Sequence, residues 1–316
     1  MTAILGTGHS LPVKRLTNRE LAVMVDTSDE WIISHTGISE RRILGPEESA
    51  LSLSLEAARQ ALAAAHVQPE ALGLIVCATF TSETMTPSLG ALVMRALGAA
   101  CPAFDLNAAC SGFLYALEVA RKTCPEKPVL VVGCEILSRV TDWTDRASCI
   151  LFGDGAGAAV IGPCNEANRG IIDISWMNHP DTTDALVVEG MNHTREGKLQ
   201  PSVIHMDGRE VYKFATRVLA EDIRAVAHNN GLAVSDIDWF VPHQANIRII
   251  RWAAQALEVP MERFYINIDR LGNTSCASVI IALDELVRSG DLHAGQTVVM
   301  AAFGGGLTSG AALLRW

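Results

Sequence analysis

Ile150-Leu-Phe-Gly-Asp-Gly-Ala-Gly-Ala-Ala-Val-Ile161 returns in altered form near the end of the chain, as Ala301-Ala-Phe-Gly-Gly-Gly-Leu-Thr-Ser-Gly-Ala-Ala-Leu-Leu314. Both stretches read Phe-Gly-x-Gly, then Gly-Ala-Ala and aliphatic residues, and each closes one half of the chain. The repeat distance is far longer than the 20 to 50 residues, roughly, that are typical of solenoids. We therefore predict two duplicated α/β halves, over residues 1–165 and 166–316.

The order of strand and helix signals supports this duplication. The first half has an apolar strand at 74–79, a helix at 90–97 and a strand that ends at a cysteine before a further helix. The second half repeats this order with a strand at 239–242, a helix at 247–257, a strand at 264–267 and a helix at 277–287. The polar segment at 178–208 is predicted to be an irregular cap rather than a linker.

The bulk properties exclude several classes of protein. With 316 residues, 49% of them apolar, the chain can bury a large core. The net charge of −10 does not favour binding to nucleic acid or anionic lipid. No apolar run approaches the length of about 18 residues that a membrane helix needs, and the N-terminus lacks the pattern of a signal peptide. The eight cysteines form no C-x-x-C pair, which is typical of a reduced compartment, so we predict a cytoplasmic protein.

Glycine and histidine patterns exclude resident cofactors. Gly6-Thr-Gly8 leads to Leu-Pro instead of a helix, and the glycines at 153–157 run into a strand, so neither is a dinucleotide fingerprint. The nine histidines show no metal-ligand spacing, and we predict no metal site.

Cys110 is the strongest candidate for a reactive residue. It follows the extended stretch Pro102-Ala-Phe-Asp-Leu-Asn-Ala-Ala109 and precedes a segment with helical spacing. A thiol at the start of a helix lies near unpaired N–H groups and the positive end of the helix dipole, which favour the thiolate. The alternative is a small buried core cysteine.

Two further side chains lie in similar small-residue turns. His243 stands in Pro242-His-Gln-Ala-Asn246, and Asn273 stands in Gly272-Asn-Thr-Ser275. Either residue could simply stabilise a turn. Together with Cys110, they indicate covalent thioester chemistry, either acyl transfer or hydrolysis by a Cys-His-Asn site.

These motifs resemble those of the β-ketoacyl-acyl carrier protein synthase III family of the thiolase fold. The resemblance covers essentially the whole chain and includes the turn at Cys110, the repeated glycine stretches, and the signatures Thr27-Ser-Asp-Glu-Trp-Ile and Thr36-Gly-Ile-Ser-Glu-Arg-Arg42. It implies a layered α-β-α-β-α fold and a decarboxylating condensation that starts fatty acid synthesis. The same mechanism in a quinolone or polyketide pathway stays open as an alternative, whereas a catalytically weak scaffold subunit fits poorly because such subunits lack the cysteine.

The reaction can be assigned to residues on this basis. Cys110 would carry the acyl group, with its own N–H and that of Gly305 as the oxyanion hole. His243 and Asn273 would donate hydrogen bonds to the enolate that forms when a malonyl thioester loses carbon dioxide. Asn can donate without acting as a base, and the helix dipole could activate Cys110 without help from His243.

The resemblance also implies substrates rather than bound cofactors: an acyl-coenzyme A thioester and malonyl-acyl carrier protein. The residues expected to bind coenzyme A are Thr27, Trp31, Arg146, Tyr212 and Asn246, with the adenine between Trp31 and Arg146. The family commonly has arginine at the position of His35, and the loss of its charge suggests weaker coenzyme A binding or a carrier-bound starter.

Carrier docking and acyl selection are assigned in the same way. Basic residues at helical spacing form the expected docking face for an acidic carrier protein: Lys213, Arg217, Arg224, Arg248 and Arg251, with Arg248 as the leading residue. The acyl pocket is assigned to Phe303 and to Thr86, which stands where acetyl-restricted members have a phenylalanine contributed by the partner subunit. Thr86 suggests a roomier pocket, although Met85 could refill it. The shared pocket and paired sheets imply a homodimer.

Overall fold

The computed structural model describes residues 1–123, 125–166, 168–181, 183–190, 194–195, 198–199 and 202–316. Cys124 and parts of the polar segment at 178–208 therefore lie outside the described residues. The strands are β1 (Thr2–Ser10), β2 (Arg15–Thr17), β3 (Glu40–Arg42), β4 (Leu74–Ala78), β5 (Ala103–Leu106), β6 (Val129–Ile136), β7 (Asp154–Pro163), β8 (Gly170–Asn178), β9 (Leu186–Val188), β10 (Thr194–Arg195), β11 (Lys198–Leu199), β12 (Ile204–Met206), β13 (Trp239–Pro242), β14 (Thr297–Gly304) and β15 (Thr308–Arg315). The α-helices are α1 (Asn18–Leu21), α2 (Asp29–Thr36), α3 (Ala50–Ala65), α4 (Leu89–Leu97), α5 (Gly112–Thr123), α6 (Gly208–Asn229), α7 (Ile247–Leu257), α8 (Ile268–Leu271) and α9 (Ala277–Ser289).

Two mixed sheets repeat one strand order. The first has the order β1-β7-β6-β4-β5, and the second has the order β8-β15-β14-β13. In each sheet the first strand of the half pairs with the last, antiparallel, and the pairing between β4 and β6 matches the parallel pairing between β13 and β14. The strands β4 and β6 are buried along their whole length, as expected for strands that are covered on both faces.

Helices cover both faces of each sheet and form the layers of the fold. The helices α5 and α9 lie between the sheets and share a buried apolar cluster with both of them. The helices α3 and α4 cover the outer face of the first sheet, whereas α6 and α7 cover the outer face of the second. This α-β-α-β-α arrangement confirms the predicted fold class. The division at residues 165 and 166 stays a prediction.

The predicted strand at 264–267 is wrong in extent. Only a single parallel bridge forms there, between Phe264 and Phe240, whose rings stack with centroids 4.7 Å apart. The physical reason is the side-chain amide of Gln244, which donates to Tyr265 O (3.1 Å) and accepts from Asn267 N–H (3.2 Å). These are backbone groups that a longer strand ladder would have used.

Within the described part of the chain, no helix is both long and apolar enough to cross a membrane.

Candidate active site

A sharp backbone turn presents Cys110 between β5 and α5. The strand β5 ends at Leu106, a short 3-10 turn spans Ala109–Ser111, and α5 begins directly after it. Ala109 adopts a φ of 46°, a left-handed conformation that a non-glycine residue adopts only where the surroundings hold it. Thr308 at the start of β15 helps to hold the turn, because its hydroxyl contacts Ala108 O at 3.2 Å. The nucleophile turn is thus fixed from the other half of the chain.

The terminal glycine turn packs directly on Cys110. A Cβ added to Gly304 would lie 2.7 Å from the Cys110 backbone nitrogen, so only glycine fits there. Gly305 borders the same cavity as Cys110. Among the described residues, neither the N–H of Cys110 nor that of Gly305 donates to a backbone carbonyl. Both N–H groups are therefore available for an oxyanion.

The resting state of Cys110 differs from the sequence expectation. Burial raises the pKa of its thiol to about 12, and only the hydrogen bond from Ser275 Oγ to Cys110 Sγ (3.4 Å) and the residue's own N–H act in the opposite direction. The sequence reveals the start of a helix but not the packing of Gly304 above it. Burial thus opposes the thiolate that the start of the helix was predicted to favour.

His243 leaves the end of β13 and is almost fully buried, with 1% of its surface exposed. Its N–H donates to Ala301 O on the neighbouring strand β14, at 2.7 Å. On the ring, Nδ1 lies 2.6 Å from Ser278 Oγ, and the edge packs against Phe303 with centroids 5.3 Å apart. Burial lowers the pKa of His243 to about 3, so the ring is neutral and still carries one N–H.

Asn273 is positioned where its turn crosses the first of the two repeated glycine stretches. Its N–H donates to Leu151 O (2.8 Å), and its carbonyl accepts from Gly153 N–H (2.9 Å). Gly272 makes the crossing possible with a φ of 66°, and a Cβ there would lie 2.8 Å from Leu151 O. The side-chain Oδ1 accepts from Ser275 N–H at 2.8 Å, and the amide N–H groups donate to no acceptor among the described residues.

Two cavities meet at Cys110. The first, of about 230 Å³, is mainly apolar and also contains His243, Asn273 and Phe303. The second, of about 1000 Å³, lies beside Ser275 and Gly305. The cysteine can therefore receive a group from one side and accommodate an attached chain on the other.

The predicted coenzyme A residues collect around the mouth of the first cavity. Trp31, Tyr212 and Asn246 line it, and Arg146 places its guanidinium 5.0 Å from the Trp31 ring. Thr27 is not among the lining residues, and its hydroxyl is buried without a hydrogen-bond partner.

His35 also lines the first cavity and stacks on the Trp31 ring, with centroids 4.2 Å apart. The indole is thus contacted by both an imidazole and a guanidinium, which is a suitable surface for a purine. Asn246 also caps α7 by accepting from Arg248 N–H, and it donates to His35 O. Asn246 therefore links α7 to the end of α2 at the cavity mouth.

The two residues assigned to the acyl pocket lie in different cavities. Thr86 is exposed and lines the second cavity, together with Met85 of the same loop. Phe303 instead packs against His243 in the first cavity. Phe303 and Thr86 therefore do not line the same cavity. The glycine turn that follows Phe303 carries the chain from the first cavity to the second.

The predicted docking residues fall into two groups. Lys213 pairs with Glu210 and Arg217 with Glu221, and Arg224 donates to Ala256 O. Arg248 and Arg251 are exposed on α7, and neither forms a salt bridge with any described residue. The uncompensated positive charge is thus on α7, next to the mouth of the first cavity.

The sequence analysis missed two residues that contact the site and a third that lies near it. Ser275 contacts Cys110, Ser278 contacts His243, and the fully buried Glu135 lies 3.5 Å from the thiol of Cys276. Burial raises the pKa of Glu135 to about 8, and ionisation of Glu135 would raise the pKa of Cys110 further. Ser275 lies within the motif that was singled out for Asn273, and Ser278 follows it in the first turn of α9, but no spacing rule distinguishes them from ordinary helix-start serines.

Comparison with known proteins gives one consistent result. Family models for the central and C-terminal parts of 3-oxoacyl-[acyl-carrier-protein] synthase III match residues 104–180 and 227–316. The chain is 46% identical to the β-ketoacyl-[acyl-carrier-protein] synthase III of Methylococcus capsulatus, over 99% of this chain and 98% of the relative. The crystal structure of 3-oxoacyl-[acyl-carrier-protein] synthase III from Aquifex aeolicus superimposes with a TM-score of 0.93 at 42% identity, covering 100% of both chains.

A polyketide enzyme is also similar. The priming β-ketosynthase of the R1128 polyketide pathway is 36% identical with a TM-score of 0.91, over 100% of this chain and 96% of that one.

The fold and the relatives define a thiolase-fold condensing enzyme, an acyltransferase. More narrowly, the chain belongs to the β-ketoacyl-[acyl-carrier-protein] synthase III family. Its reaction is the condensation of an acyl-coenzyme A with malonyl-acyl carrier protein that initiates fatty acid synthesis, as the sequence motifs predicted.

Proposed function

We propose that Cys110 carries the acyl starter in the second cavity while the first cavity delivers each thioester to it. The observation that supports this assignment is the position of Cys110 at the junction of the two cavities, with His243 and Asn273 on the delivery side. No metal ion or redox cofactor is needed for this chemistry.

In the first half-reaction, Cys110 attacks the carbonyl carbon of acyl-coenzyme A. The sulfur–carbonyl bond to Cys110 forms, the bond to the coenzyme A sulfur breaks, and the proton of Cys110 leaves with coenzyme A as its free thiol. The start of α5 and the Ser275 hydroxyl stabilise the transient thiolate. The N–H groups of Cys110 and Gly305 bind the tetrahedral oxyanion.

In the second half-reaction, the malonyl thioester loses carbon dioxide. The electron pair of the broken carbon–carbon bond forms an enolate, whose oxygen accepts hydrogen bonds from His243 and Asn273. The enolate carbon then attacks the acyl carbonyl, and Cys110 leaves as a thiolate that takes a proton from solvent. His243 serves as a neutral donor because the low pKa of its buried ring leaves no charge at neutral pH.

Product analysis tests this assignment against the Cys-His-Asn hydrolase alternative. The enzyme is incubated with acyl-coenzyme A and ¹⁴C-carboxyl-labelled malonyl-acyl carrier protein. Equal amounts of labelled carbon dioxide and β-ketoacyl-acyl carrier protein support the condensation. Release of free fatty acid without carbon dioxide would establish a hydrolase instead.

We also assign the adenine of coenzyme A to the surface formed by Trp31 and Arg146, with the pantetheine arm passing Tyr212 and Asn246. His35 adds a stacking partner but no permanent charge, so we expect weaker binding of the coenzyme A phosphates than an arginine at this position would give. We also assign Thr27 to this binding surface, because its buried hydroxyl has no hydrogen-bond partner among the described residues.

Replacing Thr86 with phenylalanine should restrict the starter. Thr86 borders the large second cavity, and a ring there would fill space that a longer acyl chain needs. With acyl-coenzyme A esters of graded length, intact-protein mass spectrometry should show that Thr86→Phe accepts acetyl but forms at least about ten times less adduct with octanoyl. Thr86→Ser is the control and should keep the wild-type length profile. Equal octanoylation of Thr86→Phe and wild type would contradict the pocket assignment.

Replacing Arg248 with glutamate should weaken recognition of the carrier protein. Arg248 is exposed and unpaired at the cavity mouth, so a reversed charge there would repel an acidic carrier. We expect KM for malonyl-acyl carrier protein to rise about tenfold with little change in kcat. Arg217→Glu is the matched control, since Arg217 is already paired with Glu221. An equal rise in KM for both variants would place the docking face elsewhere.

We propose a homodimer, because β5 is an open sheet edge and Phe104 on it is 38% exposed. An unpaired edge strand with an apolar side chain can be covered by a second copy.

A cytoplasmic location is proposed from the need for a reduced Cys110 and a supply of coenzyme A thioesters.

A further inference from the structure

Ser278 contacts the catalytic imidazole but borders neither cavity. It is the second residue of α9, is 2% exposed, and places its Oγ 2.6 Å from His243 Nδ1. Because it cannot touch substrate, any effect on the reaction must pass through His243.

The hydrogen bonds of the Ser278 hydroxyl indicate whether Ser278 or His243 is the donor in the contact between them. Its Oγ already accepts a long bond from Gln244 N–H (3.4 Å), and the only other contact of this hydroxyl among the described residues is His243 Nδ1. The oxygen could accept a second bond from an Nδ1–H, but its buried hydroxyl proton would then have no acceptor among the described residues. The arrangement that satisfies both groups has the hydroxyl donating to Nδ1. A neutral imidazole that accepts at Nδ1 carries its proton on Nε2.

We propose that Ser278 is a positioning residue that holds His243 in the Nε2–H tautomer, which makes the ring a hydrogen-bond donor to the malonyl thioester oxygen. This inference rests on the proposed role of His243 in decarboxylation. The opposite tautomer would present a bare nitrogen to the developing enolate and repel it.

The start of α9 then orients both donors of the site. Ser275 N–H binds Asn273 Oδ1 and turns the amide N–H groups outward, while Ser278 O–H binds Nδ1 and leaves Nε2–H unpaired. One helix terminus thus prepares two donors for one oxygen. Neither donor is charged near neutral pH, because an amide is not basic there and burial lowers the pKa of His243 to about 3.

The tautomer can be measured without any substrate. In a ¹H–¹⁵N long-range correlation spectrum of ¹⁵N-labelled wild type, the His243 signals are identified by their loss in His243→Gln. We expect the Nε2–H pattern, unchanged from pH 8 to pH 5. An Nδ1–H pattern, or a protonated ring at pH 6, would overturn the proposal.

The second measurement separates the two half-reactions. In Ser278→Ala we expect a mixture of tautomers and a 10- to 100-fold slower decarboxylation of malonyl-acyl carrier protein, as is typical when a residue that orients a catalytic group is lost. Acylation of Cys110 by acyl-coenzyme A should change less than twofold. Ser278→Thr keeps the hydroxyl and should recover decarboxylation.

Ser289→Ala, at the far end of α9, is the matched control and should resemble wild type. Wild-type decarboxylation in Ser278→Ala would overturn the proposal. If Ser278→Ala does not fold, the wild-type spectrum still decides. If wild type itself releases no carbon dioxide, the proposed function is wrong. The spectrum still shows which nitrogen of His243 carries the proton, because it is recorded without substrate.

Discussion

Cys110→Ala should form no acyl adduct and should lose condensation by at least about 10⁴-fold, because Cys110 is the one cysteine that lines the two cavities among the described residues. The readout is intact-protein mass after exposure to acyl-coenzyme A, followed by the rate of β-ketoacyl product formation. Wild type should gain one acyl group per chain.

Cys276→Ala is the matched control for this experiment. Cys276 is fully buried beside the site, and burial raises the pKa of its thiol well above the ordinary value. We therefore expect this variant to keep its adduct on Cys110. An acyl adduct on Cys110→Ala, or loss of the adduct only in Cys276→Ala, would transfer the role of nucleophile to another cysteine.

Cys110→Ala should also separate the two half-reactions. His243 and Asn273 line the first cavity independently of the thiol, so Cys110→Ala should still release some carbon dioxide from malonyl-acyl carrier protein. Complete loss of both activities would indicate that Cys110 also holds the malonyl group in place.

The sequence allowed the fold and the central residues to be predicted because their signals are local. Buried strands form uninterrupted apolar runs, and turns that approach a substrate closely need small residues. Cys110, His243 and Asn273 each lie in such a turn, and the structure brings all three to one cavity. The duplication then indicates that equivalent turns from both halves meet.

Features that depend on packing between distant segments could not be predicted. The strand at 264–267 is lost because Gln244, remote in sequence, takes its hydrogen bonds. The raised pKa of the Cys110 thiol comes from burial, and part of that burial is the close packing of Gly304, which is remote in sequence. The ion pairs of Lys213 and Arg217, by contrast, are local, because Glu210 and Glu221 lie within about one helical turn of them on α6.

The pKa values of Cys110 and His243 shift in opposite directions for one physical reason. Burial favours the neutral form of each side chain, so it raises the pKa of the thiol and lowers that of the imidazole. A thiolate–imidazolium pair is therefore not the resting state. In the mechanism proposed above, oriented neutral donors stabilise charge that develops only when a thioester is present.

Asn273→Asp should stop decarboxylation while leaving acylation of Cys110 nearly intact. Asn273 uses Oδ1 to accept from Ser275 N–H, and its amide N–H groups are the free donors. Aspartate keeps the first interaction but replaces the donors with a carboxylate oxygen, which repels the enolate. Loss of one such donor costs about 10²- to 10³-fold in rate, and the added repulsion should bring the effect to at least the upper end of that range.

The measurement uses labelled carbon dioxide release from malonyl-acyl carrier protein, with the mass of the acyl-enzyme measured in parallel. Asn273→Ala removes the donor without adding charge. Its decarboxylation should therefore be less impaired than that of Asn273→Asp, which removes the donor and adds a negative charge. That order identifies electrostatic stabilisation of the enolate as the role of the amide. The reverse order, or equal loss of acylation and decarboxylation in both variants, would mean that Asn273 serves only to hold the crossing of the Gly153 and Gly272 turns.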